Sequence, residues 1–214
     1  MTHGSHQGVI YCNGHGGGSN GWSFPAPIDR RLQRELSGLS VLHLFGGRAT
    51  FGVRLDIDPL TEPDVIGDAW APPFGKDSFD AVVLDPPYFS FGRHHREQLG
   101  TGAAWIARKI VVWFSSFAAT SLPGCHIDRW WTVIIGNDCS IRQLAYFTPG
   151  ERKKEPKPFV TRGPAMKYNR WRGGQSQLPL QVSDDDAKRD VAAKAMRSIR
   201  ARKGGLAHAR RARK

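Results

Sequence analysis

The sequence predicts an α/β protein: a mostly parallel sheet with helices on both faces, followed by a basic C-terminal extension. Short apolar runs that end at Gly, Asp or Pro recur between residues 40 and 84, as is typical of buried parallel strands. Helix-length or loop segments separate these runs, which favours crossover connections. The 214 residues are enough for one such domain and a tail.

The elements can be placed in order along the chain. A helix is expected over residues 29–36, because Pro27 precedes it and Gly38 follows it. A polar loop is expected over residues 89–100, then a long helix over 103–119. The predicted strands cover residues 40–45, 51–57, 64–67, 79–84 and 130–135. Residues 142–148 and 158–162 are predicted to pair as a hairpin that adds an antiparallel edge to the sheet.

The positive charge of the chain is concentrated at its C-terminal end. Residues 1–150 hold 12 Lys and Arg against 13 Asp and Glu, whereas residues 151–214 hold 19 against 6. We therefore expect a domain over residues 1–167, which includes an N-terminal glycine-rich loop and helix over 1–38, and a basic linker and tail over 168–214. Such an extension favours a nucleic-acid partner, because Lys and Arg that neutralise phosphates release counterions. A merely solubilising tail is the alternative.

Cysteine usage argues against disulfides and metals. Cys12, Cys125 and Cys139 are odd in number, far apart and free of a C-x-x-C pair, so neither a disulfide framework nor a zinc ribbon is expected. No metal site is predicted, and the pattern favours a reducing, cytoplasmic location.

The longest apolar run gives no membrane span. It covers residues 103–122, and Arg108 and Lys109 lie near its middle. Each charge would cost about 2.5–3.5 kcal/mol at the centre of a bilayer. We expect a buried helix with one polar edge and no membrane partner.

Four of the predicted strands end in polar or glycine residues, in a particular order. The strand ends carry, in turn, Phe45-Gly46-Gly47, Asp56, Asp68 and Asp85-Pro86-Pro87-Tyr88. This order resembles the class I S-adenosylmethionine-dependent methyltransferases, and among them the DNA and RNA amino-methyltransferases with an Asp-Pro-Pro-Tyr motif. The resemblance covers roughly residues 40–136 and implies a Rossmann-like sheet.

The resemblance implies catalytic roles for Asp85, Pro86, Pro87 and Tyr88. An exocyclic base amine is a poor nucleophile, because its lone pair is delocalised into the ring. The Asp85 carboxylate and the Pro86 carbonyl can each accept one N–H bond and so favour a pyramidal nitrogen. The two prolines fix φ and hold the acceptors in place before substrate binds. Tyr88 would stack on the target base after that base leaves a duplex.

The cofactor implied by the resemblance is S-adenosylmethionine. Phe45, Gly46 and Gly47 would lie against its methionine part, Asp56 would hold the ribose hydroxyls and Ile57 would lie against the adenine. The adenine amine would donate to Asp68 in this interpretation. The sequence departs from the family pattern at His43, where an acidic residue is usual, and at Arg48 or Ala49, where another Gly is usual. The glycine-rich stretch 12–21 could compensate by closing over the cofactor.

Other uses of the glycine turn are disfavoured. Val53-Arg54 follows where a phosphate-binding loop needs Lys and Ser or Thr, and no G-x-G-x-x-G is present. We therefore expect a methyltransferase that modifies a base amino group, adenine N6 in DNA first. An RNA base methyltransferase, or an inactive nucleic-acid-binding module with this fold, are the alternatives. Nucleic acid would be contacted by Arg93, Arg96, Arg170, Arg172 and residues 183–214.

Overall fold

The structure is a computed structural model that describes residues 4–12, 23–86, 93–116, 121–136, 140–151 and 155–156, with only the backbone of 93–95. Several predicted features lie outside the described residues. They are Pro87, Tyr88, most of the glycine-rich stretch (13–21), the second half of the predicted hairpin (158–162), Arg170, Arg172 and the tail 183–214.

The described part of the chain forms eight strands and two α-helices. In chain order they are β1 (Ser5–Cys12), α1 (Ala26–Glu35), β2 (Val41–Leu44), β3 (Val53–Asp56), β4 (Val65–Ile66), β5 (Phe79–Leu84), α2 (Arg93–Ile106), β6 (Ala107–Ser115), β7 (Cys125–Ile135) and β8 (Ser140–Pro149). A single turn of 3-10 helix, Pro59–Thr61, links β3 to β4.

All eight strands belong to one sheet, in the order β1-β7-β8-β6-β5-β2-β3-β4. Every neighbouring pair is parallel except the two that involve β8. The predicted mostly parallel α/β sheet is therefore confirmed, and its arrangement is Rossmann-like. From β2 the chain moves outwards through β3 to β4, then returns to the other side of β2 as β5. The order reverses between β2 and β5, which makes this pair the topological switch point of the sheet.

Side chains alternate between two apolar layers, one on each face of the sheet. Ile28 and Leu32 of α1 pack with Val83 and Val112 on one face. Leu99 and Ile106 of α2 pack with Val82 and other strand residues on the other face. The expected helices on both faces are confirmed. Burial on both faces also explains why β2 is fully buried from Val41 to Leu44.

The elements around the switch point were predicted well. The helix begins three residues earlier than expected, at Ala26, because the backbone of Pro25 caps it and Pro27 fits its first turn. The bounds of β5 agree with the prediction, and β2, β3 and β4 are shorter than predicted. Strand β1 was not predicted, because it is an exposed edge strand in which Cys12 is the one buried residue.

The predicted helix over residues 103–119 is correct only as far as Ile106 and is wrong over residues 107–115. The structure has α2 from Arg93 to Ile106 and then, without a loop, β6 from Ala107 to Ser115. The predicted loop over 89–100 is therefore helical from residue 93. The run Ile110-Val111-Val112-Trp113-Phe114 is β-branched and aromatic, which favours a strand. Arg108 and Lys109 do not form a polar helix edge, because both pair with Asp80 of β5.

The prediction that residues 142–148 form an antiparallel edge of the sheet is also wrong. The segment 142–148 lies in β8, which is antiparallel as expected but is inserted between β6 and β7 and pairs with both. The sequence did not predict this position of β8. β7 and β8 are neighbours along the chain, whereas β7 separates β6 from β8. None of the helices in the described ranges is long and apolar enough to cross a bilayer.

Candidate functional site

The carboxyl ends of β2 and β5 meet at the switch point of the sheet. In open α/β sheets, a crevice for ligands forms outside the strand ends at such a point. Phe45-Gly46-Gly47 follows β2, and Asp85-Pro86 follows β5. The strands pair in register up to Leu44 opposite Leu84, so the two motifs leave the sheet at the same level. Topology thus brings together two motifs that lie 38 residues apart in the sequence.

The turn after β2 has an unusual backbone. Phe45 has φ of 61°, a left-handed conformation that is uncommon for a residue with a side chain. Gly47 follows with φ of 46°. Gly46 is needed for close packing, because a Cβ there would lie 2.7 Å from the Cβ of Arg54. The glycine at position 46 therefore lets the turn pack on β3, a role that the ligand-based interpretation did not include.

Asp56, the last residue of β3, holds this glycine turn. Its Oδ2 accepts a hydrogen bond from the backbone N–H of Gly47 at 2.8 Å, and its Oδ1 accepts one from Asp58 at 3.0 Å. Ile57, the next residue, exposes 37% of its surface. The structure therefore places Asp56 beside the glycine turn and leaves an apolar side chain exposed next to it.

Asp68 lies two residues beyond β4, at the same edge of the sheet. Its Oδ1 accepts a hydrogen bond from the backbone N–H of Trp70 at 2.9 Å. Desolvation raises the pKa of Asp68 above its usual value, and the Trp70 N–H partly offsets this. The Trp70 ring meets the ring of Phe45 edge-on, with centroids 6.1 Å apart. This contact joins the loop after β4 to the turn after β2.

Asp85 and Pro86 are the part of the catalytic motif that the structure describes. Asp85 is half-buried and Pro86 is buried, directly after the fully buried end of β5. Pro87 and Tyr88 lie outside the described residues, so their roles stay predictions. Of the arginines assigned to nucleic acid, Arg96 lies in the first turns of α2 and is half-buried, and only the backbone of Arg93 is described.

Sequence reasoning missed Arg54 as part of this site. Its guanidinium donates to the carbonyls of Gly47 and Thr61, at 3.4 and 3.3 Å, and to that of Glu62. Its Nε lies 3.5 Å from the Asp64 carboxylate. The available signal was a charged residue between two buried apolar residues of β3, Val53 and Leu55.

His43, the departure from the family pattern, is a core residue. It is 1% exposed and packs edge-on against Phe51, with ring centroids 4.7 Å apart. Burial and the nearby charge of Arg54 lower the pKa of His43 to about 3, although a hydrogen bond with the Phe51 backbone opposes the shift. Its Nε2 has no hydrogen-bond partner in the described part of the chain. The lowered pKa keeps the ring neutral at physiological pH.

Nothing in the described ranges forms a metal site. No group of three or more His, Cys, Asp or Glu side chains there could hold an ion. Cys12 and Cys125 form no disulfide in the described ranges, and burial raises the pKa of Cys12. Cys139 falls in a gap of the described chain.

Comparison with known proteins finds matches among solved structures. No protein-family model and no curated protein matches the chain. A solved structure of a candidate RNA methyltransferase from Pyrococcus horikoshii is similar at 15% identity with a TM-score of 0.44, over 59% of this chain and 85% of that one. No functional assignment follows from a likeness of this size. The arrangement of strand ends at the switch point carries the functional argument.

Proposed function

We propose that the protein is an S-adenosylmethionine-dependent methyltransferase that acts on an exocyclic amino group of a nucleobase. The observation that carries the proposal is the meeting of two motifs at the switch point: the glycine turn with Asp56 on one side and Asp85-Pro86 on the other. Cofactor and acceptor must be adjacent for a direct transfer, and a ligand crevice at this point serves both.

The residues around Asp56 fit the cofactor. Each Asp56 oxygen accepts one backbone N–H and has capacity for another donor, such as a ribose hydroxyl. Ile57 offers exposed apolar surface to an adenine ring. Asp68, further along the same edge, is an acceptor suited to the adenine amine. When bound, the cofactor supplies an electrophilic methyl group on a sulfonium.

The residues after β5 fit the acceptor. The Asp85 carboxylate and the Pro86 carbonyl would accept the two N–H groups of a base amine and turn its lone pair towards the methyl group. The nitrogen lone pair would form the new N–C bond while the S–C bond breaks and the sulfur leaves as a neutral thioether, and the amine proton would pass to Asp85 or to solvent. The ring of Pro86 limits φ and so holds its acceptor before substrate arrives.

We propose adenine N6 in DNA as the preferred target, with residues 168–214 contributing phosphate contacts through their excess of Lys and Arg. RNA is tested as an alternative substrate. The full chain is incubated with cofactor labelled on the methyl group and with separate DNA and RNA pools, and the nucleosides are analysed by mass spectrometry.

The expected product is N6-methyladenine from the DNA pool. Methylated base from the RNA pool alone would move the proposal to RNA. A protein that binds both pools and methylates neither would overturn the enzymatic function and favour an inactive binding module.

A further inference from the structure

Arg54 is a largely buried cation in a short strand. Its side chain is 19% exposed, and it lies opposite the buried His43 in the pairing of β2 with β3. Burial of a guanidinium is costly unless hydrogen bonds compensate for the lost water. Its contacts therefore indicate what the residue does.

The contacts of Arg54 join two separate turns. The Gly47 carbonyl belongs to the turn after β2, whereas the Thr61 and Glu62 carbonyls belong to the turn after β3. Asp64 fixes Arg54 in turn: its Oδ2 accepts from the Arg54 backbone N–H at 3.0 Å and lies 3.5 Å from Nε. A planar guanidinium with several fixed N–H groups can reach these acceptors together, and a lysine ammonium offers no such fork.

Gly47 is held from both sides as a result. Its N–H donates to Asp56, and its carbonyl accepts from Arg54. The turn also lies directly on the Arg54 backbone, because a Cβ at position 46 would meet the Cα of Arg54 at 2.9 Å. The position of the glycine turn relative to Asp56 thus depends on Arg54, which itself need not touch a ligand.

We propose that Arg54 is a positioning residue for the cofactor site, which rests on the proposed function. It holds the turns after β2 and β3 on either side of Asp56, so that the Asp56 carboxylate and the Gly47 backbone keep the spacing that the cofactor needs. Asp64 is its structural partner in this role.

The first test uses the unliganded full chain and measures hydrogen exchange. In Arg54→Met, which keeps an unbranched apolar stem, the amides of residues 46–49 and 60–62 are expected to exchange faster than in the parent. The matched control is Arg108→Met, which removes an arginine that pairs with Asp80 at the far edge of the sheet. Unchanged exchange in residues 46–49 of Arg54→Met would overturn the proposal.

The second test measures the dissociation constant of S-adenosylmethionine by calorimetry, with circular dichroism to check folding. Arg54→Met is expected to weaken binding about tenfold to a hundredfold, the range known for groups that orient metal ligands. Arg54→Lys is expected to restore little, and Arg108→Met to bind like the parent. Parent-like affinity in a folded Arg54→Met would overturn the proposal. A parent protein that binds no cofactor would instead overturn the proposed function, while the exchange data still decide whether Arg54 positions the turn.

Discussion

Asp56 and Asp80 are carboxylates in the same mostly parallel sheet, Asp56 at the carboxyl end of β3 and Asp80 near the amino end of β5, and their partners differ. Asp80, near the start of β5, accepts from the backbone and hydroxyl of Ser40 and lies 3.1 and 3.2 Å from the cations of Arg108 and Lys109. The described partners of Asp56 are two backbone amides. We therefore expect Asp80, which is paired with cations, to have a structural role, and Asp56, which is held by neutral donors, to bind a ligand.

The largest effect predicted from this comparison is on turnover. Asp85 lies at the same edge of the sheet as Asp56. Asp85→Ala is expected to lower the methyl-transfer rate by about 10²–10³-fold, as loss of one oriented group in a reacting centre does. Asp80→Ala is expected to keep a parent-like rate. Initial rates with labelled cofactor measure both, and parent-like turnover in Asp85→Ala would refute the assigned role.

Cofactor affinity separates Asp56 from Asp80 directly. Asp56→Ala removes charge-assisted hydrogen bonds worth about 1.5–3 kcal/mol, so the dissociation constant is expected to rise at least about tenfold. Asp80→Ala serves as the control and should bind as the parent does. Calorimetric titration at a temperature where both variants are folded measures the constants. If cofactor affinity fell equally in both variants, the carboxylates at the two ends of the strands would not differ in function.

The buried His43 sharpens the same distinction through the pH dependence of stability. Its pKa falls from 6.5 to about 3 on folding, so the unfolded chain gains a proton first as the pH is lowered. The free energy of unfolding should therefore fall between pH 6.5 and about 3. His43→Leu is expected to flatten this dependence and to bind cofactor nearly as well as the parent. Urea unfolding across this pH range measures the free energy of unfolding of the parent and of His43→Leu. The same pH dependence in both proteins would contradict the buried, neutral ring.

Asp80 is expected to have a smaller effect on the stability of the fold, in more acidic solution. Burial raises the pKa of Asp80, but hydrogen bonds from Ser40 and the charge of Lys109 outweigh it and lower the pKa to about 2. Its stabilising contribution is present above about pH 4 and is lost as the pH falls towards 2. Asp80→Asn should remove this part of the acid dependence, which thermal unfolding between pH 2 and 5 would detect. An identical acid dependence in the parent and the variant would argue against the ion pairs.

The short buried strands could be predicted from sequence because their apolar runs end abruptly at Gly or Asp. Since the carboxyl ends of parallel strands share one edge of a sheet, these strand ends were enough to predict that Phe45, Asp56 and Asp85 lie at the same edge. The order of the strands explains why they meet, because β5 returns beside β2.

The other half of the sheet was harder to predict for a physical reason. The run from Ala103 to Ser115 is apolar over most of its length, so its period does not distinguish a helix from a strand. Arg54 was missed because its partners, the carbonyls of Gly47, Thr61 and Glu62, are backbone atoms that leave no pattern in the sequence.

The central claim is that the cofactor binds at the switch point between β2 and β5. Photo-crosslinking of labelled S-adenosylmethionine to the full chain, followed by peptide mapping, tests this without relying on turnover. The account predicts label on peptides that contain residues 45–47, 56–57 or 85–86, and loss of that label in Asp56→Ala but not in Asp80→Ala. Label confined to the opposite edge, around Ser40, Asp80 and Arg108, would contradict it.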